Sequence, residues 1–226
     1  MKVITIVAGF GRCGSSLVMQ MLAAGGMPTP YSSYPSFEVP KGTRMVTGNL
    51  YGGALKVLDP HIFRPPHGPA YKIIWIDRDP LEQAKSMVKF MEVIAGPIPG
   101  DRQEAIETLR KSFINDRPKT NGLLHSYTQW IMKLRFESIL ADPARAARQI
   151  NEFCGKALDE KAMARAVLPR APECLPYMLE IFQMEAAKEK THDSGSGEEG
   201  ERRDSVPGVP GQDQVGEHAD REGDAG

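Results

Sequence analysis

Residues 3–24 read VITIVAGFGRCGSSLVMQMLAA, and the fold follows from how that stretch divides. Val3, Ile4, Ile6 and Val7 are an apolar, β-branched run of the kind that makes a strand buried on both faces. A glycine-rich loop follows, Gly9-Phe10-Gly11-Arg12-Cys13-Gly14, and Ser15 and Ser16 then open an apolar-rich helix through Leu17, Met21 and Leu22. Strand, glycine loop and helix with hydroxyls at its start make a cradle for an anion. Glycines let the backbone turn its N–H groups inward, and the helix N-terminus adds a partial positive charge. The stretch predicts an anion site.

The spacing is close to a Walker A loop, Gly-x-x-x-x-Gly-Lys-Ser/Thr, but Ser15 stands at the lysine position. A kinase or ATPase sets that lysine against the β- and γ-phosphates, so its absence counts against nucleoside triphosphate hydrolysis. The cation lies inside the loop instead, at Arg12.

Composition bounds the rest. The chain has 226 residues, 41% apolar and 25% charged, values of one globular domain of ordinary size. It carries no long apolar run and no signal-peptide pattern, so no membrane contact is expected. Cys13, Cys154 and Cys174 are scattered and form no CxxC, which predicts neither a disulfide framework nor a metal site. The expected location is the cytoplasm. From Thr191 onward there are ten Asp/Glu against three Arg, a charge of −7, which leaves +6 on residues 1–190 of a chain whose net charge is −1. Residues 191–226 are acidic, glycine-rich and nearly free of large apolar side chains, and are expected to be a disordered tail. The mildly basic body, residues 1–190, suits a small anionic ligand. It lacks the aromatic residues interleaved with Lys/Arg clusters that nucleic acid binding needs.

Residues 25–43 (GGMPTPYSSYPSFEVPKGT) predict a long loop, and loops of that length are commonly functional. Its Tyr31, Tyr34 and Phe37 either line a ligand site or pin the loop to the core. A second strand is expected at residues 53–58 (GALKVL), with Lys56 in an otherwise apolar run near its carboxyl end. The third, residues 71–76 (YKIIWI), ends in Asp77-Arg78-Asp79-Pro80. A helix then begins near Leu81, with Asp79 as N-cap and Pro80 at the first helical position. Ser86, eight residues after Arg78, falls on the second turn of that helix, so both can approach one phosphate near the strand end.

Further along, residues 101–114 have helical periodicity, and a separate helix is expected around 122–128, after the breaker Arg117-Pro118. Residues 130–136 (WIMKLRF) predict a fourth strand. A helix is expected over 144–154, ending at Gly155, with Glu137 and Asp142 setting turns and caps. A last helix over 159–167 and the stretch 176–187 close the body.

Taken together, the motifs resemble those of the sulfotransferases, and the pattern is most similar to short bacterial and phage members of that family. In their 5′-phosphosulfate loop a Lys or Arg, a small residue and Gly precede two Ser/Thr, the order of Gly11-Arg12-Cys13-Gly14-Ser15-Ser16, with Cys13 at a usual serine. Arg78 and Ser86 resemble the family's 3′-phosphate motif. Residues 136–143 resemble the family's Tyr/Phe-Glu-x-Leu-x-x-Asp-Pro segment, with Ile139 at the leucine. The resemblance covers residues 1–175 and implies a three-layer α/β/α P-loop domain with a mostly parallel sheet. It implies transfer of a sulfuryl group from 3′-phosphoadenosine-5′-phosphosulfate (PAPS) to a hydroxyl or amine of a small-molecule or glycan acceptor, releasing 3′-phosphoadenosine-5′-phosphate (PAP), with no metal. Gly11, Arg12, Cys13, Gly14, Ser15, Ser16 and Leu17 would hold the 5′ side, Arg78 and Ser86 the 3′-phosphate, and Arg12 and Lys56 the charge that develops during transfer.

Two departures bear on the chemistry. The family's Lys-x-His motif matches at Lys56 but has Leu58 at the histidine that acts as base, and His61 is either its substitute or a solvated loop residue. The family's Arg-Lys-Gly motif is absent, leaving Arg165 or Arg170 as possible replacements. Two rivals therefore stand beside the transferase: a non-catalytic nucleotide-binding protein, and a nucleoside or small-molecule kinase.

Overall fold

The computed structural model describes residues 3–29, 37, 50–65, 67–155 and 157–168. Tyr31, Tyr34, Arg170, the stretch 176–187 and the acidic tail 191–226 lie outside the described residues. The chain divides into two units, Met1–Ala187 and Lys188–Gly226, and everything described below belongs to the first.

The elements run β1 (Val3–Gly9), α1 (Ser15–Ala24), β2 (Ala54–Leu58), β3 (Ala70–Asp77), α2 (Pro80–Ala95), α3 (Arg102–Tyr127), β4 (Ile131–Arg135), α4 (Phe136–Ala141), α5 (Pro143–Cys154) and α6 (Glu160–Arg165). The four strands form one sheet in the order β2-β1-β3-β4, every pairing parallel. Val7 lies opposite Lys56 on one side and Ile74 on the other, so β1 is an interior strand, as its uninterrupted apolar run predicts.

Side chains alternate across the sheet into two cores. Val7, Ile74 and Ile76 pack with α1, α5 and α6 through Leu17, Val18, Ala147, Ile150 and Met163. Ile4, Ile6, Ile73 and Trp75 pack with α2 and α3 through Ala84, Val88, Ile106, Phe113 and Leu124. The result is the three-layer α/β/α arrangement expected of parallel strands joined by helices. Both neighbours of β1 in the sheet come later in the chain, one on each side. The chain thus reverses its direction of travel across the sheet at β1 and β3, and the crevice beyond their carboxyl ends is where open α/β sheets take ligands.

Helix starts follow the capping residues. Asp79 accepts the N–H groups of Leu81 and Glu82, each at 3.0 Å, and Pro80 is the first residue of α2. Asp142 accepts from Arg145 at 2.9 Å at the start of α5, which ends at Gly155 with φ 64. Asp159 accepts from Ala162 at 2.9 Å at the start of α6.

One expectation is corrected. Pro118 does not separate two helices; α3 runs through it for 26 residues. A proline inside a helix removes one backbone hydrogen bond and costs about 3 kcal/mol. Tertiary packing on either side offsets that cost: Phe113, Thr120 and Leu124 are buried. Arg117 pairs with Asp77 at 2.9 Å and donates to Arg78 O at 3.2 Å, which ties the proline turn to the end of β3. Among the described residues no helix is long and apolar enough to cross a membrane.

Candidate anion-binding site

The glycine loop bridges the carboxyl end of β1 and the start of α1, and its carbonyls are engaged from outside. Gly9 O accepts the N–H of Asp59 at 2.9 Å, and Phe10 O accepts that of Cys13 at 3.1 Å. The Gln83 amide, on α2, donates to Phe10 O at 3.2 Å and to Gly11 O at 2.8 Å. Arg78 donates to Arg12 O at 2.9 Å. Four successive carbonyl dipoles, from Gly9 to Arg12, are thus each tied to a donor. Fixing carbonyls this way leaves the N–H edge of a loop as the face for an anion.

Backbone geometry holds that shape. Arg12 has φ 67 and Gly14 has φ 102, so the loop turns through the left-handed region twice. Gly14 is also the N-cap of α1, with no side-chain cap of its own. A Cβ there would collide with the Phe136 ring, so glycine is required both by conformation and by space. The same ring supports the Arg78 guanidinium, 4.6 Å from its centroid. Phe136, at the start of α4, is therefore the floor on which loop and arginine both rest.

Two buried cations meet the loop. Lys56, 7% exposed, projects from β2 on the α1 side and donates to the Ser16 hydroxyl at 2.9 Å. Arg78, 8% exposed, reaches the loop from the end of β3. The Arg12 guanidinium lies over the Phe90 ring of α2 at 4.6 Å. Ser15 and Ser16 are buried at the start of α1, and Ser86 is buried on the second turn of α2. Structure and sequence thus bring Arg12, Gly14, Ser15, Ser16, Lys56 and Arg78 to one place.

Two of the expected loop residues serve it differently. Cys13 turns its side chain into the core beside Gly9 rather than toward the loop face. Burial pushes its thiol above the ordinary pKa, outweighing the hydrogen bond with Ser15 and the Lys56 ammonium. Leu17 is likewise a core side chain, and its N–H donates to Gly14 O at 3.1 Å. Phe37 is buried in the same core, with φ 56.

His61 stands in the loop after β2, beside Phe10. Its ring meets Phe10 edge-on at 5.6 Å, and Nδ1 is buried without a hydrogen-bond partner. Arg165 ends α6, and the resemblance segment behaves as a set of caps: Glu137 accepts the Asp79 N–H at 2.9 Å.

Sequence reasoning missed Asp59, Gln83 and Arg117. Asp59 Oδ1 accepts the Gly11 N–H at 3.3 Å, and its one sequence signal is an acid placed just after the Lys56 strand. Gln83 is 1% exposed, and nothing in a first-turn glutamine announces that it clamps a distant loop.

Compared with family models and with curated proteins, the sequence has no match. Its structure is similar to solved structures. One is mouse sulfotransferase SULT7A1 complexed with PAP, at 12% identity and TM-score 0.46, covering 73% of this chain and 62% of that one. Another is retinol dehydratase in complex with androsterone and inactive cofactor PAP, at 11% identity and TM-score 0.45, covering 72% and 62%. A third is retinol dehydratase with retinol and PAP, at 12% identity and TM-score 0.48, covering 88% and 83%. The match spans 62% of the length of each of the first two structures.

Proposed function

We propose that the chain is a PAPS-dependent sulfotransferase acting on a hydroxyl or amine of a small-molecule or glycan acceptor. The observation that supports it most is the loop with its carbonyls tied back at Gly9 to Arg12, flanked by buried Lys56 and Arg78. In the reaction the sulfur–oxygen bond to the bridging oxygen of PAPS breaks. A new bond from sulfur to the acceptor oxygen or nitrogen forms, the acceptor proton departs, and PAP leaves. Such a transfer needs positioning and cationic stabilisation of oxygens more than covalent chemistry. Ser15, Ser16 and the loop amides hold the 5′-phosphate, while Lys56 and Arg12 offset charge on the bridging oxygen. Arg78 and Ser86 take the 3′-phosphate. A guanidinium has five N–H donors, so Arg78 can hold Arg12 O and a phosphate together.

A second reading, a protein that binds the nucleotide without turnover, is favoured by one feature: Leu58 stands at the position where the resembled family carries its basic histidine.

Calorimetry with PAP, ADP and ATP tests the proposal. PAP and ADP carry the same number of phosphates, but only PAP presents one at the 3′ position. A charge-assisted contact there contributes about 1.5–3 kcal/mol, so PAP should bind at least about tenfold more tightly than ADP. Equal affinities would remove the 3′-phosphate site and with it the case for PAPS.

A further inference from the structure

Arg12 is not a glycine, yet it lies in the left-handed region with φ 67. For an L-residue that conformation is disfavoured by roughly tenfold in population. A half-turn of the Gly11–Arg12 peptide plane would relieve it, because it changes only Gly11 ψ and Arg12 φ and carries the latter to the ordinary negative side. Gly11 has no Cβ to resist such a turn. Two other loop ties, Cys13 N–H to Phe10 O at 3.1 Å and Arg78 to Arg12 O at 2.9 Å, belong to neighbouring peptides and would survive it. Gln83 opposes it. Its side-chain amide, on a residue 1% exposed, donates to Gly11 O at 2.8 Å and to Phe10 O at 3.2 Å. Both acceptors are carbonyls, so only the NH2 end of the amide can face them.

We infer that Gln83 is a positioning residue that latches the Gly11–Arg12 peptide in the orientation a 5′-phosphate needs. The inference rests on the reading of the loop as the 5′-phosphate site. In a trans peptide the C=O and N–H point opposite ways, so a carbonyl held toward α2 turns the Arg12 N–H to the other face of the loop. The turned plane would present the Gly11 carbonyl there instead, the negative end of a dipole facing a phosphate. Gln83 sits in the first turn of α2, whose start is fixed by the Asp79 cap, and its own N–H donates to Asp79 O at 2.9 Å. The latch is thus carried by a helix rather than by the loop it holds. Without it the strain at Arg12 favours the turned plane. The competent loop then falls to about a tenth of the molecules, and apparent affinity falls by the same factor.

Calorimetry of the full chain with PAP and adenosine 3′-phosphate as probes tests this, since only PAP carries a phosphate for the loop. Gln83→Met keeps the length and removes the donors, and Gln83→Leu is a second apolar replacement. Each should weaken PAP about tenfold and change adenosine 3′-phosphate by about twofold or less. Arg12→Gly removes the strain, so in that background the two orientations are nearly equal and the same substitutions should weaken PAP only about twofold. Comparing single and double variants cancels the loss of the Arg12 charge itself. Unchanged PAP affinity in the Gln83 variants would overturn the latch. So would a tenfold loss that persists beside Arg12→Gly, an equal loss of both ligands, or a chain that no longer folds with either replacement. In all of those cases the wild type still binds PAP, and the nucleotide reading stands. A wild type that binds PAP no more tightly than adenosine 3′-phosphate would instead remove the loop as a 5′-phosphate site, and the latch with it.

Discussion

Lys56 is the residue on which enzyme and mere binding protein part. It is buried, lies on an interior face of the sheet and donates to the hydroxyl of Ser16 at 2.9 Å. A lysine kept only for solubility would carry its ammonium out to solvent along an apolar stem. In the proposed transfer its charge matters most when the bridging oxygen becomes negative, so it acts on the transition state more than on bound PAP. Lys56→Ala should therefore lower kcat by about a hundred- to a thousandfold, the usual effect of losing one such electrostatic contact, and weaken PAP binding far less. A screen of phenols, sugars and amines supplies the acceptor, and kcat is then compared with the calorimetric PAP affinity for both proteins. A variant that keeps its full rate would place the catalytic cation elsewhere. Lys56 could be picked out of the sequence because a charge inside an apolar strand is conspicuous. Asp59 and Gln83 could not: each is an ordinary polar residue at an element end, and its role exists only once β2 and α2 are brought against the loop.

At the scale of elements, what the sequence disclosed is what is locally encoded. The starts of α2, α5 and α6 were readable because an aspartate cap accepts N–H groups two or three residues ahead of it. Pro118 misled for the same reason, since the local rule says a helix ends there. What keeps α3 whole is non-local: Arg117 grips Asp77 and Arg78 O across 40 and 39 residues of sequence. Lys72 is another such tie. From β3 its ammonium reaches Phe153 O at 2.8 Å and Cys154 O at 3.1 Å, closing the last turn of α5 with a cation where the helix dipole is negative. Lys72→Met keeps most of the apolar stem and removes only the charge and its donors. It should cost about 1–2 kcal/mol and lower Tm by several degrees, as followed by thermal unfolding. An unchanged Tm would mean that water caps α5 equally well.

Across the whole molecule the two ends of the sheet do different work. The anion loop, Lys56 and Arg78 gather at the carboxyl ends of β1, β2 and β3, whereas Tyr71 lies near the amino end of β3, packed in the opposite core with Trp75 and Leu124. Tyr127 meets it edge-on at 6.2 Å. Burial pushes the Tyr71 phenol up to about 12, with Tyr127 and Tyr51 adding to the shift. In the unfolded chain the same phenol titrates near 10. Below that pH both states hold the proton and the full stability is present. Between about 10 and 12 the unfolded chain gives up its proton first, the native state binds more protons, and stability falls as pH rises. One group shifted this far removes on the order of 2 kcal/mol by pH 12. Tyr71→Phe has no phenol to titrate, so its urea midpoint should fall less than that of the wild type between pH 9 and pH 11.5. Parallel loss in the two proteins would show that alkaline unfolding starts from other groups, and that the buried end of β3 tolerates a phenolate.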